Sequence, residues 1–337
     1  MTAFAASAPP AAPTAASGWR TLRVADRRRE AEDIHRFVLE PADGAPLAPY
    51  RAGAHLWLRA GPWLRPYSLC APHGGGRYQI AVQREAGGRG GSRHLCDKLE
   101  PGDEIEAGEP ANHFPLAEDM PAPPLLLAGG IGITPILCMA RELAAAGRAC
   151  TLHYLARSRR RMAFLDELAG WAASGPGRLH LHAGDEPGGA PGLAALVGPA
   201  QPGRHLYVCG PAGMLDAVRA HAAAQGWRAD HVHFERFGAA EPAPPAGGDA
   251  AFEVVLASSG RRVPVPAGTT VAQALHAAGV DLPVSCEQGV CGACATRVLA
   301  GRPDHRDSLL DEAERAAGQV FLPCCSRSLD PSLTLDL

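Results

Sequence analysis

The stretch that decides the fold of the carboxyl-terminal region is SCEQGVCGACATRV, residues 285–298. It places Cys286, Cys291 and Cys294 at C-x4-C-x2-C spacing, and Cys324 follows at a distance in LPCCS. Plant-type two-iron, two-sulfur clusters use this pattern, in which three thiolates come from one loop and the fourth from a remote segment. Glycines between the ligands let such a loop curl tightly, so that backbone N–H groups point at the sulfurs. The sequence therefore predicts a plant-type 2Fe-2S cluster here.

The same cysteines are also compatible with a zinc site or with unliganded core positions. Zinc sites more often use paired C-x2-C knuckles and histidine, which this loop lacks. For the fourth ligand we select Cys324 over the adjacent Cys325. Neighbouring side chains of an extended segment point to opposite sides, so only one of the two can face a cluster, and the spacing to Cys324 resembles that of plant-type ferredoxins.

The rest of the chain divides into regions that differ in composition and in predicted secondary structure. Residues 239–250, AAEPAPPAGGDA, form a Pro/Gly/Ala-rich linker before the 251–337 iron–sulfur domain. Strand-like and helix-like segments alternate over 119–238, which predicts a doubly wound α/β sheet. Short strands broken by Gly and Pro fill 19–118 and predict a small antiparallel β-barrel. The Ala/Pro/Ser-rich residues 1–18 are expected to be a disordered tail.

Composition limits the possible partners. The 337 residues carry a net charge of -3, and their length predicts two or three packed cores. A near-neutral chain argues against binding to nucleic acid. Residues 121–140 lack charge and are long enough to span a bilayer, but their four prolines and three glycines argue against a membrane helix. Cysteines clustered at metal-ligand spacing are typical of a reducing compartment, so we expect a cytoplasmic protein.

Two segments of the predicted barrel suit a phosphate-bearing aromatic cofactor. In Arg65-Pro66-Tyr67-Ser68-Leu69 a single strand can present a phenol ring to an aromatic system, aim a guanidinium at a phosphate and offer a hydroxyl to a ring nitrogen. The glycine-rich AGGRGGSRHL, residues 86–95, leads into a helix whose exposed N–H groups suit a phosphate. Taken singly, the first segment is compatible with an ordinary strand and the second with a flexible loop.

Two further segments belong to the α/β region. Residues 129–135, GGIGITP, lie between a buried strand and a helix, with Thr134 suited to the N-cap and Pro135 to the first helical position. The loop lacks the third glycine of G-x-G-x-x-G. Cys209-Gly210-Pro211 closes a later strand ahead of a helix near Met214. Ligands bind at the carboxyl ends of strands in open α/β sheets, so both loops, and Phe237 after the last strand, should face one crevice.

Together and in this order, RPYSL, GGRGGS, GGIGITP, CGP and CEQGVCGAC resemble the phthalate dioxygenase reductase family, which includes vanillate demethylase reductase subunits. The resemblance implies an NADH-dependent reductase with an FMN-binding barrel, an α/β nicotinamide domain and a carboxyl-terminal plant-type ferredoxin domain of the β-grasp fold. FMN rather than FAD rests on the domain order of the family.

The resemblance also implies roles for individual residues. For the flavin these are Arg65, Pro66, Tyr67 and Ser68, the strand Ala81, Val82 and Gln83, and Gly90, Gly91 and Ser92 at its phosphate. For NADH they are Gly130, Ile131, Gly132, Ile133, Thr134, Cys209, Gly210, Pro211 and Met214. Phe237 lies near the flavin ring in this scheme, and Ser68, Cys209 and Phe237 form the catalytic set.

A flavin between nicotinamide and cluster fits the chemistry, because a hydride carries two electrons whereas the cluster accepts one at a time. By the resemblance, the electrons leave for a terminal Rieske non-heme-iron oxygenase. A cytochrome P450 as acceptor is one alternative, and a zinc-stabilised binding protein is another. The segment Arg157-Ser158-Arg159-Arg160-Arg161 leaves NADPH open as coenzyme, since arginines there can accept a 2'-phosphate.

Overall fold

The structure, a computed structural model, describes residues 18–61, 63–87, 90–187, 189–237, 250–280, 282, 284, 289, 292, 294–307, 310 and 312–337. These residues form two compact units, one ending at Phe237 and the other beyond the predicted linker. The predicted tail, apart from Gly18, and the linker, apart from Ala250, lie outside the described residues. No described helix is long and apolar enough to span a bilayer.

The first part of the amino-terminal unit is an antiparallel β-barrel. Its strands are β1 (Arg20–Ala31), β2 (Ile34–Pro41), β3 (Ala54–Ala60), β4 (Trp63–Ser68), β5 (Tyr78–Gln83), β6 (Glu104–Ala107) and β7 (Ala111–Asn112), and helix α1 (Gly91–Lys98) follows β5. The strand order is β4-β3-β6-β1-β2-β5, with β7 on β3. The barrel closes beyond β4, where Leu69 bridges Ile80 and the Cys70 amide donates to the Gln79 carbonyl at 2.9 Å. Alternating apolar residues such as Leu22, Leu39 and Leu56 fill its interior.

The second part of this unit is a parallel sheet covered by helices on both faces. Its elements are β8 (Leu125–Gly129), α2 (Ile133–Ala145), β9 (Thr151–Ala156), α3 (Leu165–Ser174), β10 (Arg178–Ala183), α4 (Leu193–Val197), β11 (Leu206–Gly210), α5 (Ala212–Ala224) and β12 (Val232–Arg236). The strand order is β10-β9-β8-β11-β12. Leu126 packs with α2 and α3 on one face, and Leu127 packs with α5 on the other. Strands that are buried on both faces have sequences that are continuous apolar runs.

The start of α2 differs from the prediction. A 3-10 turn over Gly130–Gly132 runs directly into the helix, which begins at Ile133 with Gly132 as N-cap. The prediction of Thr134 as N-cap is therefore wrong. Thr134 lies inside the first turn, where its hydroxyl donates to the Ile131 carbonyl at 3.0 Å. The tight turn supplies backbone partners that a side-chain cap would otherwise provide.

The carboxyl-terminal unit is a β-grasp. Its elements are β13 (Phe252–Leu256), β14 (Arg262–Val265), α6 (Val271–Ala277), β15 (Thr296–Ala300), β16 (Pro303–Asp304), α7 (Glu312–Ala317), β17 (Val320–Phe321), β18 (Arg327–Ser328) and β19 (Ser332–Leu335). The main sheet has the order β14-β13-β19-β15-β17, and β13 pairs in parallel with β19. A capping box between Thr270 and Gln273 starts α6. The predicted fold class of barrel, doubly wound sheet and β-grasp is confirmed.

Candidate functional site

The end of β4 carries the predicted flavin-contacting residues. Tyr67 lies opposite Leu56 on β3, and Ser68 lies opposite His55. Because side chains alternate along a strand, Arg65 and Tyr67 point to one side, and Pro66 and Ser68 to the other. Tyr67 is half-buried against the barrel core, and desolvation raises the pKa of its phenol above the ordinary range. The phenol therefore stays neutral and offers an aromatic surface.

Arg65 lies beside the first turn of α1. A Cβ added to Gly91 would meet the Arg65 Cγ at 3.0 Å, and one added to Gly90 would meet the Trp63 ring at 2.5 Å. Gly90, with φ of 119°, is the N-cap, and the first turn of the helix contains no acidic side chain. A helix N-terminus next to a guanidinium is a suitable place for a phosphate. The residues present thus fit the phosphate end of a flavin nucleotide.

Ser92 and the strand β5 complete this part of the barrel. The Ser92 hydroxyl accepts a hydrogen bond from the Glu85 amide at 3.2 Å, which fixes the turn between β5 and α1. Along β5, Val82 points into the barrel core and Ala81 packs into the cluster around α2, whereas Gln83 is half-buried. The strand therefore lies where the barrel meets the parallel sheet.

The carboxyl ends of β8 and β11 approach each other backbone to backbone. A Cβ on Gly132 would lie 2.2 Å from the Cys209 carbonyl oxygen, and one on Gly129 would lie 2.6 Å from the Met214 Sδ. Gly210 is less confined, since its Cβ would fall 3.1 Å from the Gly129 Cα. At Gly132 a side chain would overlap the backbone of β11, so glycine is required there. The two loops that the sequence predicted to share a crevice do meet, and their lack of side chains fits the close approach of a dinucleotide.

A carboxylic acid, Glu235 on β12, joins the barrel to this crevice. Glu235 pairs in register with Cys209, and the Cys209 Sγ lies 3.9 Å from the Glu235 Oε2. Ser68, itself 5% exposed, also lies near the Glu235 carboxyl group, and its hydroxyl favours the ionised form of that group. Burial raises the pKa of Glu235 to about 8, against the opposing effects of Cys209 and Ser68, and burial also raises the pKa of the Cys209 thiol. Near neutral pH the trio is uncharged.

Sequence reasoning missed Glu235. The signal was present in HFERFG, where alternation along the strand puts Glu235 on the face opposite to Phe234. The pairing of β12 with β11, which brings Glu235 to Cys209, cannot be read from the sequence. Phe237, the other residue expected here, follows β12 and is 41% exposed. Because the Phe237 ring is exposed, it is accessible to a neighbouring molecule.

In the carboxyl-terminal unit, two of the four predicted cluster ligands are described. Cys294 and Cys324 are 2% and 4% exposed and belong to one hydrophobic core, whereas Cys325 is half-buried. Cys286 and Cys291 lie outside the described residues. Within the described part of the chain no group of three metal-ligating side chains converges, as expected when half the predicted set falls outside it.

Close packing explains why position 289, between the predicted ligands Cys286 and Cys291, is a glycine. Gly289 has φ of +67°, and a Cβ there would lie 2.4 Å from the Cys325 Sγ and 2.8 Å from the Asp307 Cα. Gly289 therefore packs directly against Cys325 in the segment that carries Cys324 and Cys325. Cys324 is left as the more deeply buried of the two thiols, which fits its selection as fourth ligand.

Comparison with known proteins adds independent information. A family model described as "2Fe-2S iron-sulfur cluster binding domain" matches residues 254–329, and one described as "Oxidoreductase NAD-binding domain" matches residues 126–220. Phenoxybenzoate dioxygenase subunit beta of Ectopseudomonas oleovorans is 47% identical, with 94% of this chain and 97% of that protein covered. Phthalate dioxygenase reductase of Burkholderia cepacia is 39% identical, with 95% and 98% covered.

Solved structures resemble the chain over similar lengths. A structure of phthalate dioxygenase reductase, described as modular for electron transfer from pyridine nucleotides to [2Fe-2S], matches with TM-score 0.75 and 38% identity over 95% of this chain and 98% of that one. An intact type IV self-sufficient cytochrome P450 monooxygenase matches with TM-score 0.76 and 39% identity. That match covers 95% of this chain but 41% of the P450 protein.

Proposed function

The chain belongs to the family that includes phthalate dioxygenase reductase and vanillate O-demethylase oxidoreductase, and from that premise we propose that it carries electrons from NADH through FMN to a 2Fe-2S cluster and on to a terminal oxygenase. The resemblance predicted from its five motifs is confirmed. The observation that carries the proposal is the meeting of Ser68 from the barrel with Cys209 and Glu235 from the parallel sheet.

The chain's own residues form a partly buried site for this transfer, in which Ser68, Cys209 and Glu235 are uncharged near neutral pH. Arg65 and the first turn of α1 would hold the phosphate of the flavin, and Tyr67 would contact its ring. Ser68, beside the Glu235 carboxyl group, would offer its hydroxyl to the flavin. When bound, a flavin supplies the exchange between a two-electron hydride donor and a one-electron acceptor. Glu235 holds a proton at its carboxyl group near neutral pH, and Cys209 presents a neutral thiol beside it.

NADH is the proposed coenzyme, because three of the four arginines after β9 are already paired with carboxylates. Arg160 and Arg161 contact Glu32 at 2.7 Å and 3.1 Å, and Arg159 contacts Glu186 at 3.4 Å. Guanidiniums held by carboxylates on the protein are poor receptors for a 2'-phosphate. Steady-state rates with NADH and NADPH at equal concentration check this point.

The proposed acceptor is a Rieske-type non-heme-iron oxygenase. Several relatives are named as components of dioxygenase or O-demethylase systems, which supports an oxygenase partner. A cytochrome P450 acceptor is the second candidate, favoured by the match to a self-sufficient P450 monooxygenase. Mixing the reduced chain with each class of purified acceptor and recording acceptor reduction distinguishes the two.

An absorption spectrum with flavin, iron and zinc analysis tests the proposal itself. We expect a brown protein with one FMN and two irons per chain, as a single 2Fe-2S cluster requires. Cys324→Ser should lose the cluster's visible absorption and its iron while keeping the flavin. Cys325→Ser, the matched control at the neighbouring thiol, should keep both. A colourless protein that contains zinc contradicts the proposal, and an intact cluster in Cys324→Ser contradicts the ligand assignment.

A further inference from the structure

A cluster of five charged side chains lies between the barrel and the helices of the parallel sheet. Its members, here called the Glu167 cluster, are Arg28, Glu30, Arg36, Arg141 and Glu167. Glu167 contacts Arg28 at 3.0 Å and Arg36 at 2.5 Å and also pairs with Arg141. Glu30 contacts the same two barrel arginines, at 2.5 Å and 3.0 Å. Every one of these cations therefore has Glu167 as a carboxylate partner.

The cluster joins the two halves from which the candidate site is built. Arg28 and Glu30 are on β1 and Arg36 is on β2, so three members belong to the barrel. Arg141 is on α2 and Glu167 is in the first turn of α3, so two belong to the parallel-sheet half. The site also takes side chains from both halves, because its serine lies on β4 and its thiol and carboxyl group lie on β11 and β12. The cluster therefore spans the same boundary that the site crosses.

Arg141 connects the cluster to both sides of the site. It lies on α2, the helix that follows the Gly130–Gly132 turn, roughly 10 Å along the axis from Thr134 at 1.5 Å per residue. Its Nη1 also lies 3.5 Å from the carbonyl oxygen of Cys70, two residues beyond Ser68. Arg141 therefore links α2, which follows the coenzyme loop, to the segment that follows the flavin strand.

The charge balance makes Glu167 the critical member. Three guanidiniums face two carboxylates, and the side chains of Glu30 and Arg36 are only 7% and 11% exposed, so water screens them weakly. Burial opposes ionisation of Glu167, but Arg141 and Arg36 outweigh it and hold the pKa of Glu167 below its ordinary value. Without that carboxylate the cations would repel one another across the boundary between barrel and α2.

We propose that Glu167 is a positioning residue for hydride transfer, which sets the spacing between the Ser68 side and the Gly132–Cys209 side of the site. The proposal rests on the proposed function. Its physical content is separate, since it states that the Glu167 carboxylate, through its contacts with Arg28 and Arg36, holds the barrel against the parallel-sheet half and keeps the nearby buried thiols closed to solvent.

The test compares Glu167→Gln with Glu142→Gln in the holoenzyme. Glu142 lies on α2, in the same half of the unit as Glu167, and likewise reaches the barrel, where it contacts Arg51 and accepts from the Ala52 amide at 2.7 Å. A glutamine at position 142 keeps an acceptor for that amide and leaves no group of buried cations. We expect Glu167→Gln to slow anaerobic flavin reduction by NADH at least tenfold in stopped flow, with half-saturation changed less than twofold. Glu142→Gln should stay within twofold of wild type in both.

A second readout does not depend on activity. Cys70, Cys138 and Cys209 are fully buried, and wild type should protect all three from maleimide, as mapped by mass spectrometry. Glu167→Gln should label Cys70 and Cys209 at least fivefold faster than wild type does, and Glu142→Gln should not. Should Glu167→Gln fail to fold, Arg36→Gln, which removes the 2.5 Å contact of a barrel arginine with Glu167, is expected to change both readouts in the same direction.

Unchanged flavin reduction and thiol protection in Glu167→Gln overturn the proposal, and so does an equal effect of Glu142→Gln. If NADH reduces neither wild type nor variants, the proposed function fails. The maleimide comparison alone then decides whether Glu167 holds the two halves together.

Discussion

At the scale of single residues, Glu235 gives the chain a distinct dependence of stability on pH. Its pKa is raised by burial from 4.5 to about 8, so between these values the folded chain holds a proton that the unfolded chain has lost. Stability therefore falls as pH rises through this window. Relative to wild type, Glu235→Gln should gain up to about 1.4 kcal/mol of unfolding free energy per pH unit there.

Urea unfolding of both proteins at pH 5, 6, 7 and 8 measures this difference. Glu106→Gln, which removes an exposed glutamate from the same unit, controls for the loss of a carboxylate as such. Parallel pH profiles for wild type and Glu235→Gln would show that Glu235 ionises normally in the folded chain.

Contacts between single residues far apart in the chain could not be predicted from the sequence. The alternation of Arg65, Tyr67 and Ser68 along one strand follows from the period of two and needs no structure. The contacts of Glu235 with Ser68, and of Glu167 with Arg28, join residues more than a hundred positions apart. They depend on which strands pair and how the halves pack, which local patterns do not determine.

At the scale of elements, the crossing of the loops after β8 and β11 tolerates substitution of its glycines poorly. Gly132→Ala would push a methyl group to within 2.2 Å of the Cys209 carbonyl oxygen, a backbone atom that cannot move without β11. We expect a loss of about 1–3 kcal/mol of stability and a raised KM for NADH. Chemical unfolding and steady-state kinetics with an artificial acceptor measure the two effects.

Gly213→Ala provides the matched control for that substitution. Gly213 lies at the start of α5, near the same crevice, but a Cβ there meets nothing within 4 Å. Alanine is the better helix former, so this variant should be as stable as wild type or up to about 1 kcal/mol more stable. Equal losses in both variants would show that the crossing is not the cause.

Element types followed from the sequence more readily than their ends. The apolar runs of β8 and β11 and the helical spacing of α2 predicted alternating strands and helices, because burial on both faces leaves that signature. The start of α2 did not follow, since Thr134 and Pro135 suit a helix N-terminus equally well as N-cap and N1 or inside the first turn. The start of α2 is set by the preceding 3-10 turn, which no side-chain pattern in the sequence indicates.

At the scale of the whole molecule, the two compact units have separate cores. Phe37 and Leu137 belong to cores within residues 18–237, and Val254 and Phe321 belong to a core made wholly of residues after the linker. Each unit therefore buries its own apolar surface and meets the ordinary description of a unit that folds alone. The sequence predicted this division from a change of composition at 239–250, where no apolar periodicity remains.

Truncation within 239–250 should therefore separate two activities. The fragment ending there keeps Arg65, Ser68, Cys209 and Glu235, so it should bind flavin and oxidise NADH with ferricyanide at a rate within about threefold of the full chain. It lacks the cysteines of the cluster, so it should fail to reduce a Rieske-type oxygenase under conditions where the full chain succeeds. Adding the separate carboxyl-terminal unit in excess should restore part of that transfer, because the route then depends on diffusion of one unit to the other. Oxygenase reduction by the fragment alone, measured by stopped-flow absorbance, would show that electrons leave from the flavin rather than through the cluster.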